Sequence, residues 1–354
     1  MTDSVVRKLS VLDRFLPVWI LLAMSGGLGL SRLAPNLSQS LDAVKLDNVS
    51  LPIALGLLVM MYPPLAKVRY GKLGEFVANW KLFQLSLFLN WVLGPVMMTM
   101  LAWLFLPSET EFRNGLVLVG LARCIAMVLI WNTLACGSAE IAAILVALNS
   151  LFQIFAYSLY GWFFITVLPD WFGYESAALS ISILAIAKSV LIFLGIPFAL
   201  GFFSRIALSK HFGEAWYEKK FIPAISPLAL IGLLYTVALI FAMQGDKLLN
   251  QPVAVFKIAL PLALYFVAMF SLALWLARRT RHNYEESAAI AFTASGNNFE
   301  LAIAVAIGAF GISSGEALAA TVGPLIEVPA LVALVYVSLW AQKKFFQSQP
   351  VPIK

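Results

Sequence analysis

Ten apolar stretches, each close to the roughly 20 residues a helix needs to cross a bilayer, follow one another along this chain. They cover 15–33, 49–66, 82–106, 115–136, 140–168, 179–204, 222–244, 253–277, 288–310 and 316–341. A backbone in lipid must satisfy its own hydrogen bonds, and segments of this length do so as α-helices. The composition agrees. Hydrophobic residues make up 61% of the chain and charged residues 12%, against about 45–50% and about 25% in an ordinary soluble domain. A soluble enzyme, a nucleic-acid-binding protein and a disordered chain are excluded. Two cysteines without a C-x-x-C pair and two histidines, His211 and His282, argue against a disulfide framework, a zinc site or a histidine cluster.

The net charge of +6 is explained by where the cations stand. Arg7, Lys8, Arg14, Lys67, Arg69, Lys72, Lys81, Arg205, Lys210, Lys219, Lys220, Arg278, Arg279, Arg281, Lys343, Lys344 and Lys354 occupy the termini and alternate connections, whereas the other connections hold Arg32, Lys45, Arg113 and Lys247. The positive-inside rule then puts both termini in the cytoplasm, as ten spans require. The basic residues face anionic lipid and the cytoplasm, not nucleic acid. No small-residue cleavage site follows the first apolar stretch, so it reads as a retained span rather than a signal peptide. The triplets Asn36-Leu-Ser38 and Asn48-Val-Ser50 are weak glycosylation signals of little use here.

The chain also resembles itself. A shift of 174 residues lays Gly137 on Gly311 and Ser150-Leu-Phe-Gln-Ile-Phe-Ala156 on Pro324-Leu-Ile-Glu-Val-Pro-Ala330, and a shift of 175 lays Pro52-Ile-Ala-Leu55 on Pro227-Leu-Ala-Leu230. Two regions agreeing on nearly one offset point to repeats of five spans each, 1–178 and 179–354. An odd number of spans per repeat makes the topology inverted. Such folds place their sites near the midplane, where broken helices offer free backbone groups. Gly120-Leu-Ala-Arg-Cys-Ile-Ala-Met127 falls opposite Ala294-Ser-Gly-Asn-Asn-Phe-Glu-Leu301, and Ser295, Gly296, Asn297 and Asn298 suit a helix break better than an apolar helix interior.

Ionisable groups at bilayer depth are expensive and therefore candidate functional residues. Arg123, Glu300 and Glu327 meet that description, whereas Lys188 and Lys257 lie close enough to the outer end to snorkel. Arg123 has two compatible readings, an ion pair with Glu300 or Glu327 that holds helices together and a functional role. Cys124 stands beside the Arg123 charge, which favours thiolate, at the expected break. Cys136, twelve residues on, reads as packing. Asn132, Asn149 and Gln153 have interhelical hydrogen bonding and cavity lining as equal alternatives, and Trp131, seven residues after Cys124, lies on roughly the same helix face, where a lipid- or core-facing aromatic needs no special explanation. Gly26-Gly-Leu-Gly29 lies too deep for a phosphate loop and suits close helix contact. Walker, H-E-x-x-H and Ser/His/Asp patterns do not occur, and no connection exceeds about seventeen residues, so an enzyme or a sensor domain is not expected.

At these residues the chain resembles the Acr3 family of arsenite efflux permeases, in the bile acid/arsenite/riboflavin transporter superfamily. The resemblance covers nearly the whole chain. It is carried by Met60-Met-Tyr-Pro-Pro-Leu-Ala-Lys-Val-Arg-Tyr70, Leu121-Ala-Arg-Cys-Ile-Ala-Met-Val128, Ala147-Leu-Asn-Ser-Leu-Phe-Gln153, Asn297-Asn-Phe-Glu-Leu-Ala-Ile-Ala-Val305 and Gly323-Pro-Leu-Ile-Glu-Val-Pro329. It implies an all-α polytopic fold of ten helices with panel and core bundles, in which helices 4 and 9 are discontinuous and cross. It further implies export of trivalent arsenite, and of antimonite in some members, in exchange for protons across the inner membrane, with no cofactor and no required protein partner. The family's essential cysteine falls on Cys124 as the arsenic contact, and its carboxylates on Glu300 and Glu327. Arg123, Trp131, Asn149, Asn297 and Asn298 lie in the matching motifs. Gly296 departs from the more usual serine. The rival reading is a sodium-coupled organic-anion symporter of the same fold, with Arg123 pairing the anion.

Overall fold

The computed structural model describes residues 15–34, 45–46, 49–68, 80–125, 127–172 and 183–346. Arg7, Lys8, Arg14, Arg69, Lys72, Lys354, the Asn36 triplet, Asn48, positions 179–182 and the expected 178/179 boundary lie outside them. The described residues form α1 (Leu16–Leu33), a two-stranded antiparallel ribbon of β1 (Lys45–Leu46) and β2 (Val49–Ser50), α2 (Leu51–Ala66), α3 (Trp80–Phe105), α4 (Thr110–Leu121), α5 (Met127–Leu134) and α6 (Ala139–Trp171). These are followed by α7 (Ile183–Phe212), α8 (Glu214–Asn250), α9 (Pro252–Arg279), α10 (Tyr284–Ser295), α11 (Phe299–Phe310) and α12 (Gly315–Phe345). Seven of these helices, α1, α3, α6, α7, α8, α9 and α12, are long and apolar enough to cross a membrane, and α2 and α11 are shorter apolar helices. The expected stretches 115–136 and 288–310 each fall on two helices, α4 with α5 and α10 with α11. Boundaries differ chiefly at charged ends. Helix α8 begins at Glu214 and takes in Lys219 and Lys220, because a helix continues past the hydrocarbon into the interface, where long basic side chains reach water.

Sequence punctuation accounts for the local form. Asn283 opens α10 with a capping box closed by Glu286, and Ser138, Asn298 and Ser314 cap α6, α11 and α12. Wide π-helical turns occur at Leu89–Leu93, Phe163–Val167, Leu191–Gly195 and Tyr217–Phe221. Each ends two residues before a proline: Pro95, Pro169, Pro197 or Pro223. A proline ring removes one helical hydrogen bond and crowds the carbonyl four residues back, and in all four cases that carbonyl lies inside the widened turn.

One packing group contains α1, α2, α7 and α8, and a second contains α3–α6 with α9–α12. Small residues let the first close up. A Cβ on Gly27 would stand 2.4 Å from the Ala238 carbonyl, and one on Gly232 would stand 2.9 Å from the Met60 nitrogen, while Gly26 and Gly29 meet nothing within 4 Å. Close contact in the first helix is therefore made by Gly27 alone of the three glycines. In the second group α4 packs on α3, α11 and α12, and α10 packs on α9, α5 and α6.

Candidate functional site

Two helix ends meet two helix starts at one buried junction. Helix α4 stops at Leu121, and Ala122 is extended at φ −81°, ψ 111°. Helix α10 stops at Ser295, and Gly296 is extended at φ −72°, ψ 144°. The two segments pair as an isolated antiparallel bridge between Arg123 and Asn297. The Cys124 N–H donates to the Gly296 carbonyl at 3.3 Å and the Asn298 N–H to the Ala122 carbonyl at 3.0 Å. Each segment thus satisfies backbone groups that no helix satisfies. Gly296 keeps this contact relaxed, since a Cβ there would lie 3.1 Å from the Cys124 Cβ and 3.6 Å from Glu327 Oε1, close enough that the neighbours would have to give by a few tenths of an ångström.

Residues on a paired extended segment project alternately to opposite sides, which separates Arg123 from Cys124. The Arg123 side chain is fully buried and its Nη1 donates to Tyr265 Oη at 3.1 Å and to the Ala294 carbonyl at 3.2 Å. A cation at the carbonyl end of α10 sits favourably against that helix's dipole. Its Nε and Nη2 have no partner among the described residues, and it forms no ion pair there with Glu300 or Glu327. Cys124 lies on the Glu327 side of the strand: a Cβ on Gly296 would stand 3.1 Å from the Cys124 Cβ and 3.6 Å from Glu327 Oε1. The Arg123 guanidinium expected beside the Cys124 thiol is directed instead to Tyr265 and the Ala294 carbonyl. The helical face assigned to Trp131 relative to Cys124 also lapses, because Cys124 is not in a helix.

The junction gathers most of the expected residues. Glu327, wholly buried on α12, accepts from the Asn297 N–H through Oε1 at 3.2 Å, and its Oε2 has no partner among the described residues. Asn297 is also buried, with both side-chain polar atoms unpartnered there. Asn298 caps α11 by accepting the Leu301 N–H at 3.0 Å, and its Nδ2 approaches Met61 Sδ at 3.9 Å. Glu300 stands buried in the first turn of α11, where the helix dipole favours negative charge. Trp131 is buried on α5 with its Nε1 unpartnered, as are both amide atoms of Asn132. Buried polar atoms are nearly always hydrogen-bonded. At the junction itself the unpartnered atoms belong to Arg123, Asn297 and Glu327, whereas Asn132 lies beside Gly137 at the far end of α5; that concentration of buried, unsatisfied polarity makes the junction the candidate site.

Two residues stand elsewhere. Asn149 spends both polar atoms on α3, accepting from Trp91 Nε1 at 3.1 Å and donating to Asn90 Oδ1 at 3.1 Å. Cys136 occupies the α5–α6 turn beside Tyr284 and Phe346. Two partners of the junction received less weight in the sequence. Gln153 holds the Arg123 peptide, accepting its N–H at 2.9 Å and donating to its carbonyl at 3.0 Å. Tyr265 gives no sequence signal beyond a hydroxyl in an apolar span. For Gln153 the signal was the 174-residue offset, which lays it on Glu327.

Residues 54–251 match the sodium bile acid symporter family, which places this polytopic helical protein among the membrane transporters. Two relatives are named arsenical-resistance protein Acr3. The one from Corynebacterium glutamicum is 54% identical over 99% of this chain and 94% of its own length. The one from Alkaliphilus metalliredigens is 28% identical over 94% of this chain and 93% of its own. An uncharacterized transporter of Synechocystis sp. is 35% identical over 92% of this chain and 88% of its own. The chain belongs to the Acr3 family of arsenical-resistance proteins.

Proposed function

We propose that this protein exports trivalent arsenite, and antimonite where size permits, from the cytoplasm in exchange for protons. The observation that carries the proposal is the convergence of Cys124, Glu327 and Glu300 with the unpartnered polar atoms of Asn297 at one buried junction, in a chain 54% identical to a protein named for arsenical resistance. Arsenite is largely neutral As(OH)3 at pH 7, and As(III) is a soft centre that prefers sulfur. The Cys124 thiol exchanges with one hydroxyl: an S–As bond forms, an As–O bond breaks, and the thiol proton leaves with the hydroxide as water. One sulfur, supported by amides and carboxyls, holds the substrate loosely enough for the reverse exchange at the other face. Glu300 and Glu327 are the groups that couple this to proton movement, Asn297 and Asn298 bind substrate hydroxyls, and Arg123, Trp131 and Asn149 shape and support the site.

The architecture we infer is ten transmembrane segments in two inverted repeats, 1–178 and 179–354, with both termini in the cytoplasm and the fourth and ninth segments discontinuous and crossing. Reciprocal packing supports it: α1 on α8 answers α7 on α2, α3 on α4 answers α9 on α10, α4 on α12 answers α10 on α6, and α5 on α6 answers α11 on α12. The panel is α1, α2, α7 and α8 and the remainder is the core. Lys257 Nζ reaches Glu109 and Lys247 Nζ reaches the Ser313 carbonyl, contacts suited to one membrane face.

Everted vesicles test the chemistry. Cys124→Ser is expected to abolish arsenite accumulation, and Glu300→Gln to lose its response to a pH gradient; undiminished uptake by Cys124→Ser overturns the role of sulfur. In an arsenite-sensitive strain lacking efflux, the chain is expected to lower cellular arsenic. The sodium-coupled organic-anion reading draws on the two unpartnered Arg123 nitrogens and predicts a response to sodium instead.

A further inference from the structure

The contact between Gln153 and the Arg123 peptide and the contact between Glu327 and the Asn297 peptide are the same contact made twice. The offset of 174 that carries Arg123 onto Asn297 also carries Gln153 onto Glu327. In both, a side chain from the neighbouring long helix, α6 or α12, reaches the bridged residue of the extended segment and accepts its N–H, at 2.9 Å from Gln153 and 3.2 Å from Glu327. They differ in the second half. The amide of Gln153 also donates to the carbonyl of the same residue, at 3.0 Å. A carboxylate has no donor, and Glu327 Oε2 is buried without a partner among the described residues.

We infer that Gln153 and Glu327 are paired positioning residues that clamp the two strands of the junction, Gln153 permanently and Glu327 completely only when its carboxyl holds a proton. With the proton on Oε2, Glu327 becomes the isostere of Gln153 and donates to the Asn297 carbonyl, so both strands are held alike. Without it, Glu327 keeps a single hydrogen bond to the Asn297 strand and sets an uncompensated negative charge beside it. The titratable groups facing Glu327 are Glu300 from α11 and Cys124 from the segment between α4 and α5; on the other helices packed against α12, Glu111 of α4 accepts from the Gly315 N–H, Arg113 of α4 donates to the Pro107 carbonyl, Lys247 of α8 donates to the Ser313 carbonyl and Lys257 of α9 pairs with Glu109. Protonation at one atom thereby sets how firmly one of two otherwise equivalent strands is held, which makes the fold's symmetry conditional on proton occupancy. This deepens the reading of the junction and rests on it for the link to transport.

Hydrogen–deuterium exchange on the full-length protein in lipid nanodiscs, with no arsenite present, tests the clamp itself. After correction for intrinsic exchange, segment 295–301 of the wild type is expected to exchange about five- to tenfold faster once Glu327 is deprotonated, the worth of one such hydrogen bond, while segment 121–125 stays level with pH. Glu327→Gln is expected to hold 295–301 protected at every pH. Gln153→Glu is expected to move the pH dependence onto 121–125. The proposal is overturned if Glu327→Gln keeps the wild-type pH dependence in 295–301, or if a folded Gln153→Glu leaves 121–125 level. Should Gln153→Glu not fold, the near-isosteric Glu327→Gln decides alone. Because no substrate is used, this outcome is separable from failure of the arsenite reading.

Discussion

Gly323 is the point at which a single methyl group tests the geometry of the junction. It lies on α12 one turn before Glu327, so the two share a face. A Cβ placed on Gly323 would fall 1.7 Å and 1.8 Å from the ring carbons Cε1 and Cδ1 of Phe299. Carbon atoms pack comfortably at about 3.5–4.0 Å, so the ring would have to retreat by about 2 Å. It has nowhere to go. Phe299 is fully buried, with the Phe266 ring 6.4 Å away between centroids, and it stands between Asn298 and Glu300 at the start of α11. Overpacking a core costs typically about 1–3 kcal/mol, and a rigid ring puts this case near the top, about 3 kcal/mol. Gly323→Ala is therefore expected to lower the melting temperature in detergent by about 4 °C and to cut arsenite flux by drawing Glu327 away from the Asn297 N–H. Shrinking the ring should restore part of both, so that Gly323→Ala with Phe299→Leu is more stable than the sum of the single changes predicts, by about 2 kcal/mol. Wild-type stability and flux in Gly323→Ala, or a strictly additive double variant, would refute the close approach of α12 to α11.

Other outcomes follow from the contacts away from the junction. Asn149→Ala strips Trp91 and Asn90 of buried partners and is expected to cost about 1–3 kcal/mol in thermal unfolding, while the residual flux keeps its KM for arsenite; a raised KM with unchanged stability would instead make Asn149 a substrate contact. Arg205 bonds the Ala66 and Lys67 carbonyls at the end of α2 and pairs with Glu214 and Glu218, so Arg205→Gln should lower the melting temperature, and an unchanged midpoint would remove that cluster from the stability of the α2–α7–α8 group. The His282 hydrogen bond, with help from the Asn283 N–H, holds the Glu286 carboxyl below its ordinary value of 4.5. A depressed carboxyl stabilises the fold above its unfolded value and loses that contribution as pH falls through its folded value. Glu286→Gln should accordingly melt below wild type near pH 7, with the gap closing on acidification below about pH 4.5; a gap that persists at low pH counts against the ionised capping box.

Much of this was legible because membrane burial makes polar residues conspicuous. Arg123, Asn297, Asn298, Glu300 and Glu327 stood out as polar groups in apolar runs, and the structure places all five at one junction. What periodicity could not supply was direction. Arg123 and Cys124 are neighbours in the chain, yet the extended backbone sends one toward Tyr265 and Ala294 and the other to the side where Gly296 and Glu327 stand. A seven-residue helical spacing from Cys124 to Trp131 likewise has no meaning across a gap in the helix. Asn149 and Gln153 are four residues apart on α6 and looked alike in sequence, but one faces the π-helical turn of α3 and the other the Arg123 peptide. The proline-linked widening of four helices shows the same limit, since the prolines were visible and the turns that absorb them were not.

Reconstituted proteoliposomes, in which only the imposed ion gradient changes, put the proposed exchange of arsenite for protons to its most direct test. A pH gradient with sodium absent is expected to drive arsenite flux, Cys124→Ser is expected to abolish it, and a sodium gradient at uniform pH is expected to drive none. Flux that follows sodium and ignores the pH gradient, or that survives intact in Cys124→Ser, would contradict the account.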